Sequence, residues 1–199
     1  MVELDTVGRD RLSGHVAGAL ERPWIPCVSL AMGLGKGGKA DLVVEKAVEL
    51  GVERVTPVIT ARGVSRPGEE AGARITERLS RVAAAAAAQS HRFEIPVVDS
   101  PIPIEELARR LTAFDASVVL WEEATGSGSG MAQALAAVPA RARVCVVVGP
   151  EGGLEAEEVG MLTAAGARIA TLGPTILRTE TAGIVAVALA SFVLANADV

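Results

Sequence analysis

The sequence predicts an α/β fold in which helices cover both faces of a mostly parallel β-sheet. Strand-like and helix-like segments alternate along most of the 199 residues, of which 50% are hydrophobic. The strand-like segments are short runs of Val, Ile, Leu and Ala, as expected for strands that are buried on both faces. Glycine-containing loops follow several of them, and open parallel sheets bind ligands at such strand ends. These observations predict one large ligand-binding domain with a small appendage.

The predicted strands are recognised by their apolar composition and by the turn residues that separate them. Residues 143–148 are the clearest example because they are almost continuous Val. The predicted strands are 24–32, 54–60, 96–98, 116–121, 143–148 and 168–172.

Helices are predicted between these strands from apolar residues that recur with the helical period. In residues 41–50, Leu42 and Ala47 lie near one face, and Gly51 follows as a stop signal. Residues 71–90 are centred on a run of Ala, whose small side chains allow a neighbouring element to approach closely. The remaining segments are predicted as helices at 104–111, 131–138, 154–165 and 180–195, and as a Gly/Ser loop at 125–130.

Residues 1–22 do not follow this alternation. They are polar, with turn-like Gly8 and Gly14, and we expect them to be the end of a separate unit that precedes an α/β domain over residues 23–199. No signal peptide opens the chain, and no apolar stretch is long enough to span a bilayer. These features predict a cytoplasmic protein that makes no contact with membranes.

The net charge of −5 argues against nucleic-acid binding, but the charge is unevenly distributed. Residues 36–92 hold ten Lys and Arg residues against seven Asp and Glu residues, whereas residues 93–199 hold six against thirteen. The middle of the chain is therefore either a basic face that contacts phosphate or a set of ordinary solvated helix faces. Aromatic residues make up 3% of the chain, which disfavours a platform for base stacking.

Cysteine and histidine provide no candidate metal site in the sequence. Cys27 and Cys145 each lie within an apolar strand-like run and are expected to be buried thiols. His15 and His91 are far apart, and neither is spaced with Cys as zinc ligands are. We therefore expect no metal.

Residues 33–38 match the dinucleotide-binding pattern G-x-G-x-x-G between a predicted strand and a predicted helix. The acidic residue that holds a ribose is missing after the next strand, where Arg62 would suit NADP. The segment also nearly matches a P-loop, but Ala40 replaces the hydroxyl that holds magnesium. A third interpretation is a flexible basic loop in which Lys36 and Lys39 contact phosphate.

A pair of later loops is a stronger candidate because the two can cooperate. Residues 149–153 (GPEGG) and residues 173–182 (GPTILRTETA) each follow a predicted strand. We expect these strands to be adjacent, so that both loops lie at one edge of the sheet. Gly152 and Gly153 permit close approach of the backbone to an adenine edge, and the polar cluster at 178–181 opens an apolar helix.

These two loops resemble the signature of the RsmE-type 16S rRNA uracil-N3 methyltransferases, which belong to the SPOUT superfamily. Segments 36–52, 60–62 and 89–92 are similar to further segments of that family, and the likeness covers roughly residues 24–195. The resemblance implies an α/β knot, in which the C-terminal segment threads through a loop to form a trefoil. It also implies S-adenosylmethionine as cofactor without a metal, 16S rRNA or the small ribosomal subunit as substrate, and a homodimer.

The resemblance suggests roles for individual residues. Arg178 is the candidate for stabilising charge on a uracil carbonyl, and Glu180 either orients Arg178, accepts the N3 proton, or only caps the last helix. RNA contacts, or simple surface solvation, are expected of Lys36, Lys39, Arg62 and Arg92. Cofactor contacts, mostly through the backbone, are expected from Leu120, Trp121, Glu122, Gly149, Glu151, Gly152, Gly153, Leu172, Gly173, Leu177, Thr181 and Ala182.

Departures from the family pattern leave two other functions open. Residues 1–22 correspond only to the tail of a PUA-like β-barrel with which the family grips RNA, and Ala61 and Ala88 stand where it usually has Glu. A catalytically silent RNA-binding or assembly module is therefore one alternative. The other is an NADP-dependent oxidoreductase that uses residues 33–38.

Overall fold

The predicted alternation of strands and helices is present in the computed structural model, which describes residues 2–19, 21, 23–35, 38–63, 66–122 and 129–197. The strands are β1 (Val2–Val7), β2 (Leu12–Val16), β3 (Cys27–Gly33), β4 (Arg54–Ile59), β5 (Val97–Val98), β6 (Ile102–Pro103), β7 (Ala116–Leu120), β8 (Ser129–Gly130), β9 (Arg143–Val148) and β10 (Arg168–Thr171). The helices are α1 (Lys39–Glu49), α2 (Glu69–Gln89), α3 (Ile104–Leu111), α4 (Met131–Leu135), α5 (Ala156–Ala164) and α6 (Thr179–Ala195). None of these described helices is long and apolar enough to cross a membrane.

The central sheet contains all described strands except β1 and β2, and its strands are parallel. Its order is β5-β4-β3-β9-β7-β10-β8, and β6 also pairs with β4. The expectation that β9 and β10 are adjacent is wrong, because β7 lies between them and pairs with both. Three strand ends, rather than two, therefore meet at the middle of the carboxyl edge.

Apolar side chains on both faces of the sheet explain why helices cover both sides. Leu30 and Val146 belong to a buried cluster with residues of α1, α2, α4 and α6. Their chain neighbours Ala31 and Val147 belong to a second cluster with residues of α3 and α5. The predicted arrangement of a parallel sheet between two helical layers is confirmed.

Local hydrogen bonding and exposure shift several element boundaries from the predicted ones. α5 begins later than predicted because Glu155 and Glu158 form a capping box in front of it. β3 also begins later, since Trp24 is exposed and precedes it. The predicted loop at 125–130 is wrong at its end, where β8 pairs in parallel with β10; residues 125–128 lie outside the described residues.

β1 and β2 form a separate antiparallel hairpin. Gly14 lies against Glu3, where an added side chain would overlap the Glu3 backbone. Every residue of both strands is exposed to solvent. The expected domain boundary after residue 22 stays a prediction, as does the knot that the resemblance implies.

Candidate functional site

A cavity of about 420 Å³ opens at the carboxyl ends of β7, β9 and β10. Its volume is in the range of pockets that hold small-molecule ligands. The end of β7, the loop after β9 and the loop between β10 and α6 form its walls, and Lys39 at the start of α1 completes them. The site therefore lies where parallel sheets usually bind ligands.

The loop after β9 turns back on itself tightly enough to need glycine. The Gly153 N–H donates a 2.9 Å hydrogen bond to Pro150 O, and the φ of Gly153 is +72°. An added side chain at Gly149 would lie 3.2 Å from the Leu154 nitrogen. Glycine suits both positions because it adopts positive φ without strain and leaves room for the backbone. The loop consequently brings its backbone close to the cavity.

Gly33 and Gly35 make room for this same loop. A side chain at Gly33 would overlap the backbone nitrogen of Pro150, and one at Gly35 would overlap the carboxylate of Glu151. The loop after β9 thus occupies the space in front of the G-x-G-x-x-G segment that a dinucleotide would need. The glycines at this end of β3 serve packing between segments. Lys36, predicted to contact RNA from this loop, lies outside the described residues.

Arg178 is a cation at the cavity wall in the loop before α6. Its carbonyl accepts a 2.8 Å hydrogen bond from the Ala182 N–H, and its side chain is exposed. Within the described part of the chain, no ion pair or side-chain hydrogen bond engages its guanidinium. The N-terminus of α6 carries partial positive charge, so this wall favours a ligand group that is or becomes negative.

Lys39 is a second cation at the wall, and it is paired. Its Nζ lies 3.2 Å from Glu151 Oε1 and 3.6 Å from Glu180 Oε2. Glu180 is in the first turn of α6, and its side chain is only 15% exposed. Lys39 therefore joins α1 to both loops of the cavity. A contact between Lys39 and an RNA phosphate would compete with two carboxylates.

Trp121 carries an unused hydrogen-bond donor at the cavity. Its ring packs against the apolar layer beneath α3 and α5, and its side chain lines the wall. The indole Nε1 is buried without a hydrogen-bond partner among the described residues. Because a buried N–H without an acceptor is unfavourable, a ligand acceptor at this wall would stabilise the site.

Arg62 packs against the outside of the loop after β9. Its Nη1 donates a 3.3 Å hydrogen bond to Gly152 O, and its Nε lies 3.7 Å from Glu155 Oε1. The Ala61 N–H donates a 2.8 Å hydrogen bond to Glu158 Oε1, while Glu158 Oε2 accepts one from the Glu155 N–H. The segment after β4 thus holds the loop after β9 in place, and Gly152 packs against Arg62 of this segment.

Arg92 lies at the end of α1 that is remote from the cavity. Its Nη1 donates hydrogen bonds of 2.6 Å to Val52 O and 3.2 Å to Val48 O. A cation here complements the negative end of the helix. The observed role of Arg92 is to cap α1, and its expected RNA contact stays a prediction.

Neither cysteine belongs to the site. Cys145 is buried, as expected, and burial raises the pKa of its thiol to about 12. Cys27 is only partly buried, contrary to expectation, and its Sγ donates to Glu53. Burial and the Glu53 carboxylate together raise the pKa of Cys27 to about 12. Both thiols are therefore uncharged and unreactive near neutral pH.

Most residues that line the cavity were predicted from the sequence, and a few were not. Among the described residues, every predicted cofactor residue except Gly152 and Thr181 lines it. The wall also includes Lys39, Ile176 and Thr179, which sequence reasoning did not assign to a cofactor. Lys39 reaches the cavity because β3, the strand before α1, pairs with β9. No local pattern in the sequence predicts that pairing.

Relatives of the chain are found among RNA-modifying enzymes. The RNA methyltransferase domain family matches residues 23–191. A curated relative, ribosomal RNA small subunit methyltransferase E of Bacillus subtilis (strain 168), is 35% identical over 194 residues, which cover 96% of this chain and 76% of the relative. The protein of the same name from Mycobacterium tuberculosis (strain CDC 1551 / Oshkosh) is 36% identical over 191 residues, covering 92% of this chain and 70% of the relative.

Solved structures of similar proteins share the fold. A ribosomal RNA small subunit methyltransferase E from Neisseria gonorrhoeae, bound to S-adenosylmethionine, has a TM-score of 0.73 and 27% identity, covering 94% of this chain and 75% of that one. A Legionella pneumophila protein solved with bound S-adenosylmethionine has a TM-score of 0.79 and 26% identity, covering 95% of this chain and 76% of that one. In both of these similar structures the bound molecule is a methyl donor.

Proposed function

Because this chain belongs to the RNA methyltransferase family, as an RsmE-type member of the SPOUT superfamily, we propose that it transfers a methyl group from S-adenosylmethionine to N3 of a uracil in 16S ribosomal RNA. The observation that carries the proposal is the cavity whose walls are the two signature loops and the end of β7. Family membership favours this proposal over the NADP-dependent oxidoreductase alternative. The glycines at 33 and 35 accommodate the loop after β9 instead.

The residues present fit S-adenosylmethionine. The tight turn at Gly149 and Gly153 brings backbone groups to the cavity, and Trp121 offers a buried N–H that lacks an acceptor. Glu122 and Glu151 both line the cavity, and their carboxylates would attract the positively charged groups of the cofactor. We therefore assign cofactor contacts to the predicted residues that line the cavity, which are all of the set except Gly152 and Thr181. Gly152 acts through the packing of its loop, and Thr181 through its place in the first turns of α6.

Methylation at uracil N3 requires the loss of the N3 proton, which would pass to water at the open cavity. The loss places negative charge on the two flanking carbonyl oxygens. Arg178 would donate hydrogen bonds to one of these oxygens, and the N-terminus of α6 would add to the favourable field. When bound, S-adenosylmethionine supplies an electrophilic methyl group, and the N3–carbon bond forms as the carbon–sulfur bond breaks. Glu180 is largely buried and paired with Lys39, and it makes no described contact with Arg178. Its place in the first turn of α6 therefore favours a role at the start of that helix over proton acceptance or the orientation of Arg178.

The partners and organisation of the protein follow from the same proposal. The substrate is 16S rRNA or the small ribosomal subunit in the cytoplasm, and the target uracil leaves its stack to reach the cavity. Arg62, next to the loop after β9, would contact RNA at the edge of the site. Residues 1–22 are assigned to the end of a PUA-like β-barrel and residues 23–199 to the methyltransferase domain. A homodimer is supported by exposed apolar side chains, such as Phe192 on α6, which is 66% exposed.

Cofactor binding is the first test. Calorimetric titration of the purified chain should show saturable binding of S-adenosylmethionine and none of NADPH. The Gly153→Ala variant should lose this binding, because the φ of +72° disfavours a side chain and an added Cβ would displace the Glu122 carboxylate, which lines the cavity. Gly160→Ala is the matched control, since nothing lies within 4 Å of a Cβ added there. Binding of NADPH alone would overturn the proposal.

Turnover is tested on small ribosomal subunits and on naked 16S rRNA from a strain that lacks its own methyltransferase E. After incubation with the cofactor, the RNA is digested to nucleosides and 3-methyluridine is quantified by mass spectrometry. We expect 3-methyluridine to accumulate only when both the protein and the cofactor are present. Cofactor binding without any methylated product on either substrate would identify the protein as the silent module.

A further inference from the structure

We propose that Lys39 is a positioning residue of this site: its ammonium group holds the carboxylate of Glu180 and thereby leaves the Arg178 guanidinium unpaired for the substrate. This inference rests on the proposed function, because it assigns Arg178 to the substrate. It replaces the expectation from the sequence that Lys39 contacts an RNA phosphate.

The geometry joins three segments that are far apart in sequence. Lys39 is the first residue of α1, Glu151 lies in the loop after β9, and Glu180 lies in the first turn of α6. The Lys39 Nζ lies 3.2 Å from Glu151 Oε1 and 3.6 Å from Glu180 Oε2. One ammonium group therefore faces two carboxylates at the wall of the cavity.

Glu180 depends on this cation because its carboxylate has little access to water. Its side chain is 15% exposed, and its Oε2 is buried and accepts no hydrogen bond among the described residues. A buried carboxylate needs a cationic or hydrogen-bonding partner. Without Lys39, the cation nearest in sequence is Arg178, which precedes Glu180 by two positions and is unpaired in the described structure.

Capture of Arg178 by Glu180 would remove the donor that the reaction needs. A guanidinium held in a carboxylate pair offers fewer N–H groups to a uracil oxygen, and its positive charge is partly neutralised. Lys39 avoids this competition because its ammonium group, 3.6 Å from Glu180 Oε2, compensates the charge of the carboxylate. A phosphate-binding role predicts a different effect, since loss of Lys39 would then weaken RNA binding and leave the bound-state rate unchanged.

The experiment combines Lys39→Met, Lys39→Arg, Glu180→Gln and the double variant Lys39→Met/Glu180→Gln. Lys46→Met is the matched control, because Lys46 also pairs with two carboxylates, Glu45 and Glu49, but lies outside the cavity. We expect Lys39→Met to lower kcat about tenfold or more with little change in the KM for RNA. Lys39→Arg should retain most of the rate, and Lys46→Met should equal the unaltered protein.

The double variant decides whether Lys39 acts through Glu180. If it does, Lys39→Met has no further effect once Glu180 is Gln, and the two changes are strongly non-additive. Additive losses would overturn the proposal. A rise in the KM for RNA at unchanged kcat would also overturn it and restore the phosphate-contact role.

A second readout needs neither cofactor nor RNA. Phenylglyoxal modifies unpaired guanidinium groups, and the extent of Arg178 modification is measured by peptide mass spectrometry. We expect Arg178 to react readily in the unaltered protein, several-fold more slowly in Lys39→Met, and readily again in the double variant. Equal reactivity in all variants would overturn the inference. If Arg178 shows this expected order of reactivity but the protein methylates no RNA, the proposed function fails and the inference about Lys39 stands.

Discussion

At the scale of single residues, the site separates side chains that hold its shape from donors that remain available to a ligand. Arg62 and Glu158 brace the loop after β9 through hydrogen bonds that are already formed. Arg178 and Trp121 instead present unpaired N–H groups at the cavity wall of the described structure. A buried donor without a partner is unfavourable in a folded protein, so Trp121 indicates a bound acceptor. The Arg178 guanidinium is exposed to water and remains available to an incoming group.

Arg178→Lys tests the donor role directly. Lys keeps the positive charge but lacks the planar fork with which Arg donates to a carbonyl oxygen. We expect the methylation rate to fall about 10²-fold, as for the loss of one preorganised donor at a developing anion. Because the side chain is exposed, the melting temperature should stay nearly unchanged. Arg141→Lys, at the opposite edge of the sheet, is the control, and an unchanged rate for Arg178→Lys would contradict the assignment.

The two thiols should be inert in the folded protein. The pKa of each is raised to about 12, so the reactive thiolate is scarce near neutral pH. Labelling with a chromogenic disulfide at about pH 8 should be slow for Cys27 and slower still for the buried Cys145. Both should react at once in denaturant. Rapid labelling of either thiol in the native protein would show that the thiol is more accessible to water than described, or that its pKa is not raised.

At the scale of elements, the site depends on strand order more than on any one motif. β7 lies between β9 and β10, so the end of β7 supplies Leu120 and Trp121 to a cavity that the two signature loops would not close alone. The pairing of β3 with β9 brings the start of α1 to the same place. Helix α5 then anchors the loop after β9 through the capping box of Glu155 and Glu158.

Glu158→Ala should loosen this anchor. The change removes an acceptor from two backbone N–H groups, those of Ala61 and Glu155, which are both bonded at 2.8 Å. We expect a loss of about 2–3 kcal/mol in the free energy of unfolding, measured by urea denaturation, and weaker binding of S-adenosylmethionine. Glu157→Ala, an exposed neighbour in the same helical turn, should cost far less. Equal effects of the two changes would argue against the anchoring role.

For the molecule as a whole, local sequence composition predicted the positions of strands and helices well. It predicted the order of the strands in the sheet poorly. The Val-rich strand at 143–148 and the helix at 104–111 were bounded correctly, because apolar periodicity and turn residues are local signals. The place of β7 between β9 and β10 depends on contacts between distant segments, which no single stretch of sequence encodes. The pairing of Lys39 with Glu151 and Glu180 escaped prediction for the same reason, since both carboxylates are far away in the chain.

Deletion of the β1–β2 hairpin tests whether the cofactor site depends on it. Every residue of β1 and β2 is exposed, and a two-stranded hairpin contributes little stability by itself. Deletion of residues 1–22 should therefore leave the melting temperature and the Kd for S-adenosylmethionine nearly unchanged. Methylation of small ribosomal subunits should weaken through a higher KM, because the proposed assignment places these residues in the unit that grips RNA. Calorimetry and subunit kinetics on the deletion variant check both statements, and loss of cofactor binding would show that the hairpin supports the site.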